Sequence, residues 1–155
     1  MITIHPHRGA GRLTFGMTRQ EVEEAVGRPP DVRAKVRAFD VSEVDYFEGF
    51  AVTYDAADKC WAIEFNQGAR VEYEGYELFA HPAHEARAWA RARDGNLDET
   101  DGFTSTSLGL GMYAPFIDEP GLDDEERAEP GQAFLVFGPG YSDHARGRPR
   151  AQRPN

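Results

Sequence analysis

Apolar residues Val22, Ala25 and Val26 repeat at the i, i+3, i+4 spacing of one helix face. Just before them stands Thr18-Arg-Gln-Glu21, a capping box in which the Thr18 hydroxyl accepts from the Glu21 N–H and Glu21 reaches back. Met17 and Val22 hold the positions of a hydrophobic staple. Gly27 suits the left-handed position after a helix, and Pro29 and Pro30 block continuation. The pattern predicts a helix over 19–26.

Further on, the period changes to two. Residues 28–43 are charged and less regular, with a strand expected over Val32–Phe39. Val44, Tyr46 and Phe47 lead into a tight Glu48-Gly49 turn. Phe50, Val52 and Tyr54 alternate with Ala51 and Thr53, Asp55–Lys59 turns, and Cys60–Phe65 forms the next strand. After the Asn66-Gln-Gly68 turn, Val71 and Tyr73 alternate with Glu72 and Glu74, a strand with one wet face. Turns at this spacing predict an antiparallel meander.

The helical period then returns. Pro82 suits a first turn, Ala83, Ala86, Trp89 and Ala90 make an apolar side, and Gly95 can end the helix. Phe103, Leu108, Leu110, Met112 and Tyr113 predict more strand, and Gln132–Phe137 a central one, because it is continuously apolar. The fold class expected is α+β, with two helices packed on an antiparallel sheet. Residues 1–140 form one domain, and residues 141–155 are expected to be a disordered Arg-rich tail.

Composition narrows the function classes. With 155 residues, 40% of them hydrophobic and 12% aromatic, the chain can bury a real core. No apolar run approaches the roughly 20 residues of a membrane span. The N-terminal residues do not read as a secretory signal peptide. One cysteine, Cys60, rules out an intrachain disulfide, and the expected compartment is the cytoplasm. Arginine greatly outnumbers lysine, which occurs only as Lys35 and Lys59, as in proteins of GC-rich bacterial genomes.

The formal net charge of −10 is unevenly spread. Residues 141–155 carry four arginines (Arg146, Arg148, Arg150, Arg153) against Asp143, a net of +3, so the rest holds −13. Between Asp118 and Glu129, seven of twelve residues are acidic, which predicts an acidic loop. Such a body repels nucleic acid and anionic membrane and attracts a basic protein.

No catalytic constellation emerges. His81-Pro-Ala-His84-Glu85 is the best cluster: two imidazoles at i, i+3 with a carboxylate could hold a metal. It lacks the HExxH spacing and straddles a helix start, so a capping and surface role is the plainer reading. Thr104–Gly111 lacks the lysine and spacing of a phosphate loop, and Gly109 and Gly111 instead mark a strand that bends or packs closely. Cys60, beside Trp61 in an apolar strand, reads as a buried, inert thiol. The acidic run does not keep the EF-hand spacing. No cofactor is implied.

The order of elements suggests two tandem helix–meander repeats, with halves 13–66 and 75–138. Leu13-Thr-Phe15 enters the first helix and Glu77-Leu-Phe79 the second. The stretch Phe15-Gly-Met-Thr-Arg-Gln-Glu-Val-Glu-Glu-Ala-Val-Gly-Arg-Pro29 resembles the GMTxxEVxxxxGxP motif of the SmpA/OmlA-like small lipoproteins. In that family the helix precedes a three-stranded meander, and β-lactamase-inhibitory-protein-like chains resemble a tandem pair of such units that work by binding an enzyme. The resemblance implies an architecture. The chain lacks the family's lipidation cysteine near its start.

These features together predict a non-catalytic protein-binding module, an immunity or inhibitor protein that neutralises a basic bacterial toxin or enzyme by covering its site with carboxylates. The expected contacts are Asp118, Glu119, Asp123, Asp124, Glu125 and Glu126, with a sheet-face aromatic such as Tyr46, Tyr73 or Tyr113. The alternatives are a housekeeping or regulatory interaction module, and a metal-dependent enzyme or small-ligand binder built on His81 and His84.

Overall fold

A computed structural model describes residues 1–38 and 41–141. Phe39, the end of the predicted first strand, and the predicted tail from residue 142 lie outside the described residues. The predicted elements follow one another as expected, but they build two sheets and three helices, not two helices on a single antiparallel sheet.

The chain opens with short strands β1 (Ile2–His5), β2 (Gly9–Ala10) and β3 (Leu13–Thr14), then helix α1 (Arg19–Val26). The α1 capping box is complete, and Gly27 closes the helix at φ 89°, its N–H donating to the Glu23 carbonyl. Four strands follow as an antiparallel meander: β4 (Val32–Ala38), β5 (Val41–Phe47), β6 (Phe50–Asp55) and β7 (Cys60–Asn66). Gly49 turns the β5–β6 hairpin at φ 88°.

Strands β8 (Val71–Tyr73) and β9 (Tyr76–Glu77), a 3₁₀ turn over Leu78–Ala80 and helix α2 (Ala83–Arg93) come next. Pro82 holds the N-cap position of α2, and Asp94, not Gly95, holds its C-cap. Strands β10 (Gly102–Ser105), β11 (Leu110–Tyr113) and β12 (Ala133–Phe137) make a second antiparallel meander. One turn of helix, α3 (Asp124–Arg127), interrupts the predicted acidic loop.

Strand β12 pairs with β7 and joins the two meanders into a seven-stranded sheet, in the order β10-β11-β12-β7-β6-β5-β4. The smaller sheet, β3-β2-β1-β8-β9, contains a parallel pair, Ile2 with Val71 and Thr3 with Glu72. Two residues nearly seventy positions apart leave no local sign of pairing, so alternation alone predicts only the antiparallel partners.

The register fixes what each face carries, because side chains alternate. On the inner face Phe47, Phe50, Phe65, Phe134, Met112 and Phe103 form one cross-strand row. Beside it runs Arg33, Asp45, Val52, Ile63, Val136, Leu110 and Ser105. Val22 of α1, Ala83, Ala86 and Ala90 of α2, and Ile4, Ala10, Val71 and Tyr73 of the small sheet complete this core. Cys60 is buried in it, and burial pushes its thiol up to about 12, as an inert cysteine requires.

Among the described residues two carboxylates are buried, those of Asp45 and Asp94. The Asp45 carboxylate is fully buried. Arg33 meets it with two donors, Nε to Oδ1 at 2.6 Å and Nη2 to Oδ2 at 3.0 Å, and the Tyr54 hydroxyl donates to Oδ2 at 2.9 Å. Arg33 also bonds Glu23 of α1 at 3.1 Å, and Arg19 of α1 lies 3.3 Å from Glu43 and over the Tyr54 ring. This network ties α1 to β4, β5 and β6. Hydrogen bonding to Asp45 raises the Arg33 pKa, and burial, then the Asp45 charge, raises that of Tyr54.

Among the described residues no helix is long and apolar enough to cross a membrane.

Candidate functional site

The acidic segment is pinned to α2 at both ends. Ala86 and Ala90 face the core, which turns the Arg87 guanidinium toward the rim of the helix. There Arg87 grips Asp118 with two bonds, of 2.9 and 2.8 Å, and comes within 3.4 Å of Glu99. Arg91 also pairs with Glu99. At the far end the Ala83 N–H, an unsatisfied donor of the first helical turn, bonds the Glu129 carbonyl at 2.9 Å.

Between these pins lies an open groove of about 350 Å³. Ala83, Phe116, Ile117 and Leu122 supply its apolar lining. His84, Asp118, Glu119 and Arg127 supply its polar lining. The arrangement offers an apolar slot with carboxylates at the edge, which can take an apolar anchor flanked by cationic side chains.

The six predicted acids are all exposed, but they do different things. Asp118 is held by Arg87. Asp123 and Glu126 are spent on the N-terminus of α3: the Glu126 N–H donates to Asp123 Oδ1 at 2.7 Å, and the Asp123 N–H to Glu126 Oε1 at 3.4 Å. Glu119 lines the groove, and Asp124 and Glu125 extend the negative surface along α3. The Asp123-x-x-Glu126 capping box is the same signal as at Thr18. It is hidden in the sequence because no apolar stripe accompanies it.

The three predicted tyrosines do not join this site. Tyr73 is buried in the core, where its hydroxyl donates to the Leu108 carbonyl at 2.8 Å and its ring meets Trp89 edge-on. Desolvation, then the Glu74 charge, pushes its phenol up to about 12. Its expected contact role is corrected accordingly: alternation places Tyr73 inward and Glu72 on the wet side. Tyr46, also buried, and Tyr113, half-buried, share the outer face of the large sheet, four strands apart.

The histidine pair separates as well. His81 precedes α2 and stacks on Tyr76 at 4.3 Å, with Glu85 at 3.7 Å, while His84 is exposed on the groove. Tyr76 stacks in turn on Trp89, and the Arg93 guanidinium lies over the Trp89 ring at 5.0 Å. Among the described residues no three histidine, cysteine or acidic side chains are grouped so as to hold a metal. Ser105 and Asp94 form a buried bond of 2.7 Å that organises the 105–108 turn. His7 Nε2 meets the Ser107 carbonyl at 2.7 Å, and among the described residues no serine hydroxyl bonds a histidine there.

Sequence reasoning missed the groove floor. Phe116-Ile117 directly before the acidic run, and Leu122 within it, carried the signal: apolar residues in an otherwise charged segment must pack on something.

The Arg87 pair makes the loop sensitive to pH. Arg87 holds the Asp118 carboxyl below its ordinary range, first through hydrogen bonding and then through its charge. A carboxylate depressed in the folded state contributes above its unfolded pKa and loses that contribution as pH falls through the folded value. Protection of the Ile117–Glu119 amides, taken relative to their intrinsic exchange rate at each pH, is therefore expected to fall in acid and to be lower already at neutral pH in Arg87→Met. Equal exchange in both proteins at every pH would refute the clamp.

Compared with family models, curated proteins and solved structures, the chain matches none.

Proposed function

We propose that this chain is a non-catalytic protein-binding module of the immunity or inhibitor kind, which neutralises a basic toxin or enzyme in the bacterial cytoplasm. The observation that carries the reading is the groove between α2 and the 116–127 segment, with its floor of Phe116, Ile117 and Leu122 and its edge of Asp118 and Glu119. An apolar slot anchors a partner, and surrounding carboxylates steer a cationic one and reject others. The formal charge of −10 acts in the same direction at longer range.

The order of elements lends the reading support. Helix α1 precedes one antiparallel meander and α2 precedes another, and both meanders lie in one sheet. That order fits a tandem pair of helix–meander units of the SmpA/OmlA-like and β-lactamase-inhibitory-protein-like kind.

Neutralising Glu119, Asp124 and Glu125 (Glu119→Gln, Asp124→Asn, Glu125→Gln) leaves the Arg87 clamp and the α3 cap intact. With a captured partner in a stopped-flow experiment, the variant is expected to associate roughly tenfold more slowly at low salt, with a flatter salt dependence. Unchanged kinetics would remove the groove from the interface.

A further inference from the structure

Phe116 lines two hollows. One is the α2 groove. The other, of about 510 Å³, is lined by Asn66, Gln67, Phe116, Glu129 and Gln132. Phe116 is common to both linings, so the hollows adjoin at its ring. The strip of chain between them is pinned. The Glu129 carbonyl accepts from the Ala83 N–H, Gln67 Nε2 donates to the Pro130 and Gly131 carbonyls at 3.4 and 3.2 Å, and the Gln132 N–H donates to the Tyr113 carbonyl at 2.8 Å. Beside Phe116, the Ile117 N–H donates to the Ala114 carbonyl at 3.1 Å, and the Glu119 N–H to the Phe116 carbonyl at 3.0 Å. These walls are set before a partner arrives, which lowers the ordering cost of binding.

The second hollow is rich in amides. Asn66 ends β7 and is half-buried, and Gln132 directly precedes β12 and is exposed. Gln67 spends its amide on the strip, but the side-chain amides of Asn66 and Gln132 bond no described residue. A primary amide carries a donor and an acceptor, the pair that a peptide group also presents. A helix satisfies its own backbone, whereas an extended segment leaves N–H and C=O groups open to such amides. We propose that the two hollows together hold one extended, cationic peptide segment of the partner protein. An apolar side chain fills the α2 groove, a peptide group meets the Asn66 and Gln132 amides, and a lysine or arginine reaches Glu129. This inference rests on the reading of the α2 groove as the partner site.

Charge favours the same occupant. The two linings carry the carboxylates of Asp118, Glu119 and Glu129 against the one guanidinium of Arg127. Arg87 already holds Asp118, while the Glu119 and Glu129 side chains pair with no described residue. Each hollow therefore keeps one carboxylate for a cation. In an extended chain every second side chain faces the same way, about 7 Å apart, so one segment can straddle the Phe116 ring. A lysine or arginine stem covers apolar surface while its charged end stays in water, which suits the ring between the two acids.

The test selects random short peptides displayed on phage against the full chain, then measures the winning peptide in solution. The selected peptides are expected to pair an apolar residue with a lysine or arginine on one extended face. Asn66→Ala with Gln132→Ala should bind the winning peptide about tenfold more weakly, the loss of roughly one to two hydrogen bonds, with an unchanged unfolding midpoint. N-methylation of the peptide backbone should weaken binding to the native chain to a similar degree and cost the double variant little more. A peptide that binds the native chain and the double variant alike would overturn the inference. If that peptide still weakens on Glu119→Gln, Asp124→Asn, Glu125→Gln, the groove reading survives and the extended segment alone fails. A helix-forming consensus would also overturn the extended segment alone, and a selection with no binder above background would overturn the inference outright.

Discussion

Replacing Phe134 with alanine lowers the stability of the domain by about 4 kcal/mol, the range for deleting a fully buried phenylalanine from a core. Phe134 is fully buried on β12, the strand that joins the two meanders. Its ring meets Phe79 edge-on at 4.9 Å and Phe103 at 6.4 Å, so truncation removes aromatic contacts from both sides. Its cross-strand neighbours, Phe65 and Met112, are fixed by the register and cannot collapse far into the space. Urea unfolding should show a much lower midpoint with an unchanged slope. The control is Leu135→Ala on the same strand, which points to the outer face, is half-buried and should cost about 1 kcal/mol. Equal costs at 134 and 135 would mean that the register, and with it the assignment of faces, is wrong.

The second large effect is electrostatic. Arg33→Met strands the fully buried Asp45 carboxylate, which keeps the Tyr54 hydroxyl as its one side-chain donor among the described residues. Removing one partner of a buried pair costs about 3–5 kcal/mol, and the 39% exposure of the Arg33 side chain places the loss near the lower figure, about 3 kcal/mol. Tyr54→Phe removes one hydrogen bond and should cost about 1 kcal/mol. Changing both partners, Arg33→Met with Asp45→Leu, should recover part of the loss, because no charge is left behind. A melt of Arg33→Met that superimposes on the native one would show that water, not Arg33, satisfies Asp45.

The two helices were legible from the sequence because local chemistry decides them. Thr18, Glu21 and Gly27 bracket the eight residues of α1, and Pro82 with the alanines at 83, 86 and 90 marks α2 in the same local way. The hairpin strands were legible for a similar reason, since Glu48-Gly49 and Asp55–Lys59 punctuate strong alternation. Long-range pairing left no such mark. The parallel β1–β8 pair and the β12–β7 junction depend on residues dozens of positions away. The Arg33–Asp45 pair was hidden in a segment that reads only as charged, because its inward direction follows from a register that no local pattern sets. The candidate site was half legible. The acidic run was visible as charge, but which acids hold the fold and which are free to meet a partner depends on Arg87 and the α3 cap. Tyr73 shows the same limit: an aromatic on an alternating strand faces inward or outward only once its neighbours are placed.

The proposed function is the binding of a basic protein through the α2 groove. Affinity capture from native lysate tests it most directly, with the full chain and the Glu119→Gln, Asp124→Asn, Glu125→Gln variant run side by side at low and at moderate salt. One dominant basic protein is expected to be held by the native chain at both salt levels, retained far less by the variant, and toxic to cells when expressed without this chain. Capture of the same protein equally by both chains, or retention of nothing above background by the native one, would contradict it.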